Sequence, residues 1–257
     1  MKLRTCLIHF ILSLICVLSV RAQQFEQVLI PFTTGALTGN GGTWRTELWI
    51  RNDTNASVNL FPEKCFHIST EISCIDRLDV PASTTMLANV FPNFAAPGIL
   101  LYVPVAKSKD IHFNLRVRNA SLSPSGLGVD VPVVREQDLF LTQASIINVP
   151  VDSTSRITLR VYSPDRESKF YNVRIFSEPD GALITERQFF EILPLDLPYP
   201  AFFPVTLNLS SAFAGVPPAP PRRVRVVIEQ PYPAGQRFWP LLSVTDNATQ
   251  AVTLIRP

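Results

Sequence analysis

One alternating strand pattern is present twice in this chain, once in each half. The first copy runs from Arg45 to Asn52, turns at Asp53–Ala56 and continues from Ser57 to Phe61. The second runs from Arg156 to Tyr162, turns at Ser163–Glu167 and continues from Phe170 to Phe176. Each leads, after a long middle section, to another alternating strand ending in a small-residue turn: Ile111–Asn119 with Ala120 and Ser121, and Phe238–Asn247 with Ala248 and Thr249. A period of two is the strand signature, because successive side chains leave opposite faces. The repetition predicts a duplicated all-β chain of two units.

The alternation also assigns faces. Thr46, Leu48 and Ile50 point inward, and so do Ile111, Phe113, Leu115 and Val117. Arg45, Glu47, Trp49 and Arg51 point outward, with His112, Asn114, Arg116 and Arg118 on the second strand. In the other copy Ile157, Leu159 and Val161 face in, and Arg156, Arg160 and Tyr162 face out. A slipped register would reverse every one of these assignments.

Further strands are expected at Gln27–Phe32, Ile99–Val105, Leu139–Val149, around Val224–Ile228 and at Ala251–Ile255, with short helical turns at Thr85–Val90 and Gln188–Leu193. Many short strands without a long amphipathic helix predict two β-sandwiches rather than an up-and-down barrel. The boundary falls near residue 138, giving domains at 23–138 and 139–257. Eight prolines between Pro194 and Pro221 exclude a central strand there and indicate an extended crossover.

The first 22 residues lie outside this fold. Lys2 and Arg4 precede an apolar stretch from Cys6 to Val20, and Val20-Arg21-Ala22 offers a peptidase site. This predicts a signal peptide cleaved after Ala22 and a mature chain that is secreted, extracellular or periplasmic, with no membrane span. Losing Lys2, Arg4 and Arg21 leaves 20 of the 23 basic residues against 21 acidic ones. A near-neutral chain without a basic cluster argues against nucleic acid as partner. Of the four cysteines only Cys65 and Cys74 remain, and an oxidising compartment predicts their disulfide.

Catalytic signals are sparse. The mature chain holds two imidazoles, His67 and His112, and neither accompanies a nucleophile motif. Asp76 with Asp79, and Glu186 with Glu191, are the carboxylate pairs weighed for glycosidase chemistry, and each reads more simply as a solvated loop or edge. No zinc spacing occurs, and Asn52–Asn55 is better explained by turn chemistry than by calcium. No cofactor or metal is expected. Sequons begin at Asn52, Asn55, Asn119, Asn208 and Asn247, conditional glycan acceptors on surface loops.

The informative candidates are the outward residues Trp49, Arg51, His112, Arg116 and Arg118. If their strands are neighbours, they form an aromatic–basic platform suited to an acidic glycan or an acidic extracellular protein. The competing reading is a plain solvated sheet, or one on which the second domain packs.

Gly41–Asn52, Asn148–Asp152 before Arg156–Tyr162, and the closing Ser243–Asn247 resemble secreted bacterial tandem immunoglobulin-like β-sandwich proteins, a group of unassigned function. The resemblance implies fold and export and transfers no catalytic residue. The expected function is a non-enzymatic secreted binding or structural module. The alternative is a carbohydrate-active enzyme or its accessory lectin-like domain.

Overall fold

The computed structural model describes residues 25–32, 37–39, 42–63, 77–88, 98–121, 128–165, 169–191, 205–210, 222–232 and 235–257. The signal segment and the pair Cys65 and Cys74 lie outside the described residues.

In the first half the strands are β1 (Phe25–Ile30), β2 (Leu37–Gly39), β3 (Gly42–Asn52), β4 (Val58–Pro62), β5 (Leu78–Val80), β6 (Thr84–Ala88), β7 (Ile99–Pro104), β8 (Ile111–Asn119), β9 (Val129–Val131) and β10 (Val134–Arg135). In the second they are β11 (Gln143–Val151), β12 (Ser155–Tyr162), β13 (Lys169–Ser177), β14 (Leu183–Glu191), β15 (Val205–Asn208), β16 (Arg222–Tyr232), β17 (Trp239–Asp246) and β18 (Val252–Ile255). Short 3-10 turns occupy Val105–Asp110 and Glu136–Asp138, and no α-helix occurs among the described residues.

Four antiparallel sheets result. The first half supplies β10-β1-β7-β4-β5 and β2-β3-β8-β9, with β6 on the same edge of β3 as β2. The second supplies β11-β16-β13-β14 and β15-β12-β17-β18. The order β1-β7-β4-β5 repeats as β11-β16-β13-β14, and β6-β3-β8-β9 repeats as β15-β12-β17-β18. The duplication read from one strand pair therefore extends to the whole topology. Every paired strand stays within its own half.

Inward residues behave as alternation requires. Leu48, Ile50, Ile111 and Leu115 join Val28, Leu60, Leu101 and Val103 in one core. Ile157, Leu159 and Val161 join Val173, Ile175, Val224 and Val226 in the other. Each core is filled from both sheets of its half, the sandwich-like arrangement that two one-sided apolar sheets favour.

Several expectations change. The helical turns expected at Thr85–Val90 and Gln188–Leu193 fall largely on strands β6 and β14; partners across the sheet override weak local helical preference. The strand expected from Leu139 begins at Gln143, since Leu139 caps a 3-10 turn and Phe140 forms an isolated bridge to Phe238. Within the proline-rich stretch, residues 205–208 form the edge strand β15; apart from residues 209–210, the rest of it lies outside the described residues.

The largest correction concerns Tyr162. It leaves the outer face of its sheet, as alternation demands, but is 0 % exposed because the first half covers it. Its hydroxyl donates to the carbonyl of Pro31 at 2.9 Å, and its ring lies 6.0 Å from that of Trp239. Tyr162, Trp239 and Leu241 belong to the first half's core cluster. The Arg160 guanidinium lies 5.4 Å from the Phe32 ring. Burial pushes the Tyr162 phenol well above its ordinary pKa. Gly98 makes this approach feasible: a Cβ there would sit 3.2–3.3 Å from the Ile30 and Pro31 carbonyls and from the Tyr162 ring.

Arg237 ties the same joint at its rim. It contacts Glu136 of the first half at 2.5 Å and Asp165 of the second at 2.7 Å, and its backbone N–H donates to Asp165 at 2.6 Å. Desolvation lowers the guanidinium pKa, but the Asp165 hydrogen bond and both carboxylate charges outweigh it and leave the pKa raised. A half-open cavity of ≈ 270 Å³ remains along the seam, lined by Asp130, Val131, Pro132, Leu241, Leu254 and Arg256.

Candidate binding face

The platform residues converge on one sheet face. β3 and β8 pair along nine residues, setting Arg45 opposite Arg118, Glu47 opposite Arg116, Trp49 opposite Asn114 and Arg51 opposite His112. On the other edge of β3, Trp49 faces Leu87 and Arg51 faces Thr85. β9 sets Asp130 opposite Arg116. Antiparallel partners share a face, so all of these side chains leave the same side.

The β3–β4 turn shows why this face is well defined. Asn52 is fully buried and donates to the carbonyls of Ala56, Val80 and Pro81, while its carbonyl oxygen accepts the Thr54 N–H at 2.9 Å. This self-contained turn fixes the chain direction at Asp53. Its amide hydrogens are committed to protein carbonyls, so the Asn52 sequon is not an accessible acceptor. Asn119 is also buried, with its carbonyl oxygen accepting the Ser121 N–H. These two therefore correct the expectation of surface acceptors, whereas Asn55, Asn208 and Asn247 are exposed.

The electrostatics differ from the expected basic platform. Arg51 pairs with Asp53 at 2.6 Å, and His112 lies 3.1 Å from the same carboxyl group. Arg116 pairs with Asp130 at 2.9 Å, and Arg118 with Glu47 at 2.5 Å. The Asp130 hydrogen bond and charge raise the Arg116 pKa above its ordinary value. Arg51, His112, Arg116 and Arg118 thus each have a carboxylate beside them. The face is a grid of ion pairs surrounding an apolar pair, Trp49 at 41 % exposure and Leu87 at 48 %. Surface pairs of this kind contribute about 0–1 kcal/mol each.

Sequence reasoning brought together Trp49, Arg51, His112, Arg116 and Arg118, and missed Leu87, Asp53 and Asp130. Leu87 was hidden because its segment read as a helical turn. Asp53 read as turn chemistry, and β9 is three residues long, too short for a period to register. Gly128 carries a weak signal: a Cβ there would meet Arg116 Cγ at 2.5 Å and the Val117 carbonyl at 2.7 Å. Only glycine lets the chain entering β9 pass so close beneath Arg116.

No group of three or more His, Cys, Asp or Glu positioned for a metal occurs among the described residues. The carboxylates with resolved shifts all move downward. Asp152 is lowered by the Thr154 hydroxyl, Asp180 by the Ser177 hydroxyl and Asp246 by the Thr249 N–H and hydroxyl. All three accept backbone N–H groups in turns. A general acid requires the opposite shift.

No family model matches the chain, and no curated protein matches it. Among solved structures, that of the infectious bursal disease virus Gt strain aligns at 13 % identity over 91 % of this chain and 72 % of that one, with a TM-score of 0.18. A likeness of that size carries no argument about fold or function. No helix of the described residues is long and apolar enough to cross a membrane.

Proposed function

We propose that this chain is a non-enzymatic secreted binding or structural module of two tandem immunoglobulin-like β-sandwich domains, 23–138 and 139–257. It acts outside the cytoplasm after removal of the first 22 residues. The Trp49 face engages its partner, an extracellular glycan or protein. The observation that supports this reading is the open Trp49–Leu87 pair, ringed by side chains held in ion pairs. An aromatic face of this kind stacks on a sugar ring or on an apolar protein surface, and the surrounding guanidiniums and carboxylates supply directional hydrogen bonds. Because Arg51, Arg116 and Arg118 each already have a carboxylate neighbour, the face suits a partner of low net charge better than a strongly anionic one.

A carbohydrate-active enzyme is the weaker reading. Among the described residues lining the seam cavity, Asp130 is the one carboxylate side chain and is paired with Arg116, whereas a glycosidase needs two carboxyl groups about 5–10 Å apart.

Trp49→Ala and Arg116→Ala, assayed against a panel of neutral and acidic polysaccharides and by tryptophan fluorescence, test the proposal. Trp49→Ala is expected to abolish binding and Arg116→Ala to weaken it. Binding unchanged in Trp49→Ala, or no binding by the parent chain, would overturn the assignment of this face.

A further inference from the structure

The seam between the halves leaves a cavity whose wall and rim differ in chemistry, and the strand registers show why. β17 and β18 pair with Leu242 opposite Ile255 and Ser243 opposite Leu254. Antiparallel partners share a face, so Leu254 lies on the side of Ser243 and Leu241, away from the core residues Leu242 and Val244. Arg256, two residues beyond Leu254, continues that row. This is the face that carries Tyr162 and that the first half covers. Opposite it the first half supplies Asp130, Val131 and Pro132. β9 ends at Val131, before Pro132, which has no N–H to extend a ladder. Between them ≈ 270 Å³ stays open.

Burial separates wall from rim. Val131 and Leu241 are buried, with Pro132 and Leu254 half-buried beside them, whereas Asp130 and Arg256 are exposed. Water on such a wall finds few polar partners. At the rim, Asp130 is engaged by Arg116 at 2.9 Å. Arg256 has no ion pair or hydrogen bond among the described residues. The rim therefore carries one uncompensated positive charge. A guanidinium above an apolar wall selects an anion joined to an apolar body, because its planar fork takes a carboxylate through two parallel N–H···O bonds. A free inorganic anion gains nothing from the wall, and a plain hydrocarbon leaves the guanidinium without a partner. The volume sets the size: it lies near the lower end of small-molecule sites, about 300 Å³, and suits a single ring or a short branched chain.

We propose that the seam cavity binds a small monocarboxylate with a compact apolar body, its carboxylate on Arg256 and its hydrocarbon against Val131, Leu241 and Leu254. The site goes beyond the Trp49 face, since neither Trp49 nor Leu87 lines it.

Calorimetric titration of the full mature chain with benzoate, and with benzyl alcohol as its uncharged analogue, tests it. Benzoate is expected to bind with a dissociation constant of about 1 mM or below, and benzyl alcohol about tenfold more weakly. Arg256→Gln, at an exposed position where the fold tolerates change, should weaken benzoate about tenfold and leave benzyl alcohol unaltered. Leu254→Trp fills the cavity and should remove binding of both, with circular dichroism confirming that the fold survives. A parent that shows no saturable benzoate binding up to about 10 mM, tenfold above the expected constant, overturns the proposal. So does a benzoate affinity that ignores Arg256→Gln, or one retained in folded Leu254→Trp.

Discussion

The two halves use the same sheet for opposite ends. Along β3 and β8 the outer face presents Arg51 opposite His112 and Trp49 opposite Asn114. Along β12 and β17 the equivalent positions are Tyr162 opposite Trp239 and Arg160 opposite Leu241. The second set is largely apolar and is closed by the first half, with Tyr162, Trp239 and Leu241 all buried. The first set is polar around one tryptophan and stays open. A shared inward pattern builds the same scaffold twice; four or five outward residues decide whether its face becomes a joint or a surface.

Truncation should expose this difference most strongly. Tyr162→Ala removes a fully buried aromatic ring and is expected to cost about 3–5 kcal/mol of stability. Arg51→Ala, at the equivalent position of the open face, should stay within about 0.5 kcal/mol. Denaturant titration of both variants makes the measurement, and similar losses would break the comparison.

Arg237→Ala probes the rim of the joint. It leaves Glu136 and Asp165 partly buried without their shared cation, at an expected cost of about 1–3 kcal/mol. The loss should appear as a lower denaturation midpoint and as a broadened inter-half distance in small-angle scattering. Arg118→Ala, which breaks a pair on the open face, should change neither.

The smallest effect concerns acid. Asp246 closes the β17–β18 turn in the second half, where Asn119 occupies the matching position in the first. The Asp246 pKa is lowered on folding, so its contribution is present above the unfolded carboxylate value of about 3.9 and is lost as pH falls through the depressed folded value. Asp246→Asn should flatten part of the decline in melting temperature between pH 5 and pH 2, values set by that carboxylate range of about 3–4. An unchanged acid profile would remove Asp246 from the account.

Much of the fold was legible because the period of two is a local property. Ile111–Asn119 coincides with β8 to the residue, since four apolar and four basic or polar residues alternate there without interruption. β6 and β14 were misread because Thr84–Ala88 and Leu183–Glu191 lack clean alternation, and only their neighbours β3 and β13 make them strands. The candidate face was legible as a set of outward residues. Its charge balance was not, because Asp130 reaches Arg116 from a strand three residues long.

The sequence by itself determined the duplication, the inward faces and the turns after Asn52 and Asn119, and set the last strand's end at Asn247, one residue past the observed end at Asp246, because these depend on neighbours a few residues away. The tertiary structure alone decided which outward face is covered. Tyr162 and Trp49 read alike in the chain, as aromatics on outward or adjacent positions of equivalent strands. Tyr162 is buried because Pro31 and Phe32, more than a hundred residues earlier in the chain, fold against it; among the described residues Trp49 meets no such segment. Burial depends on long-range placement, and alternation carries no information about what lies beyond the sheet.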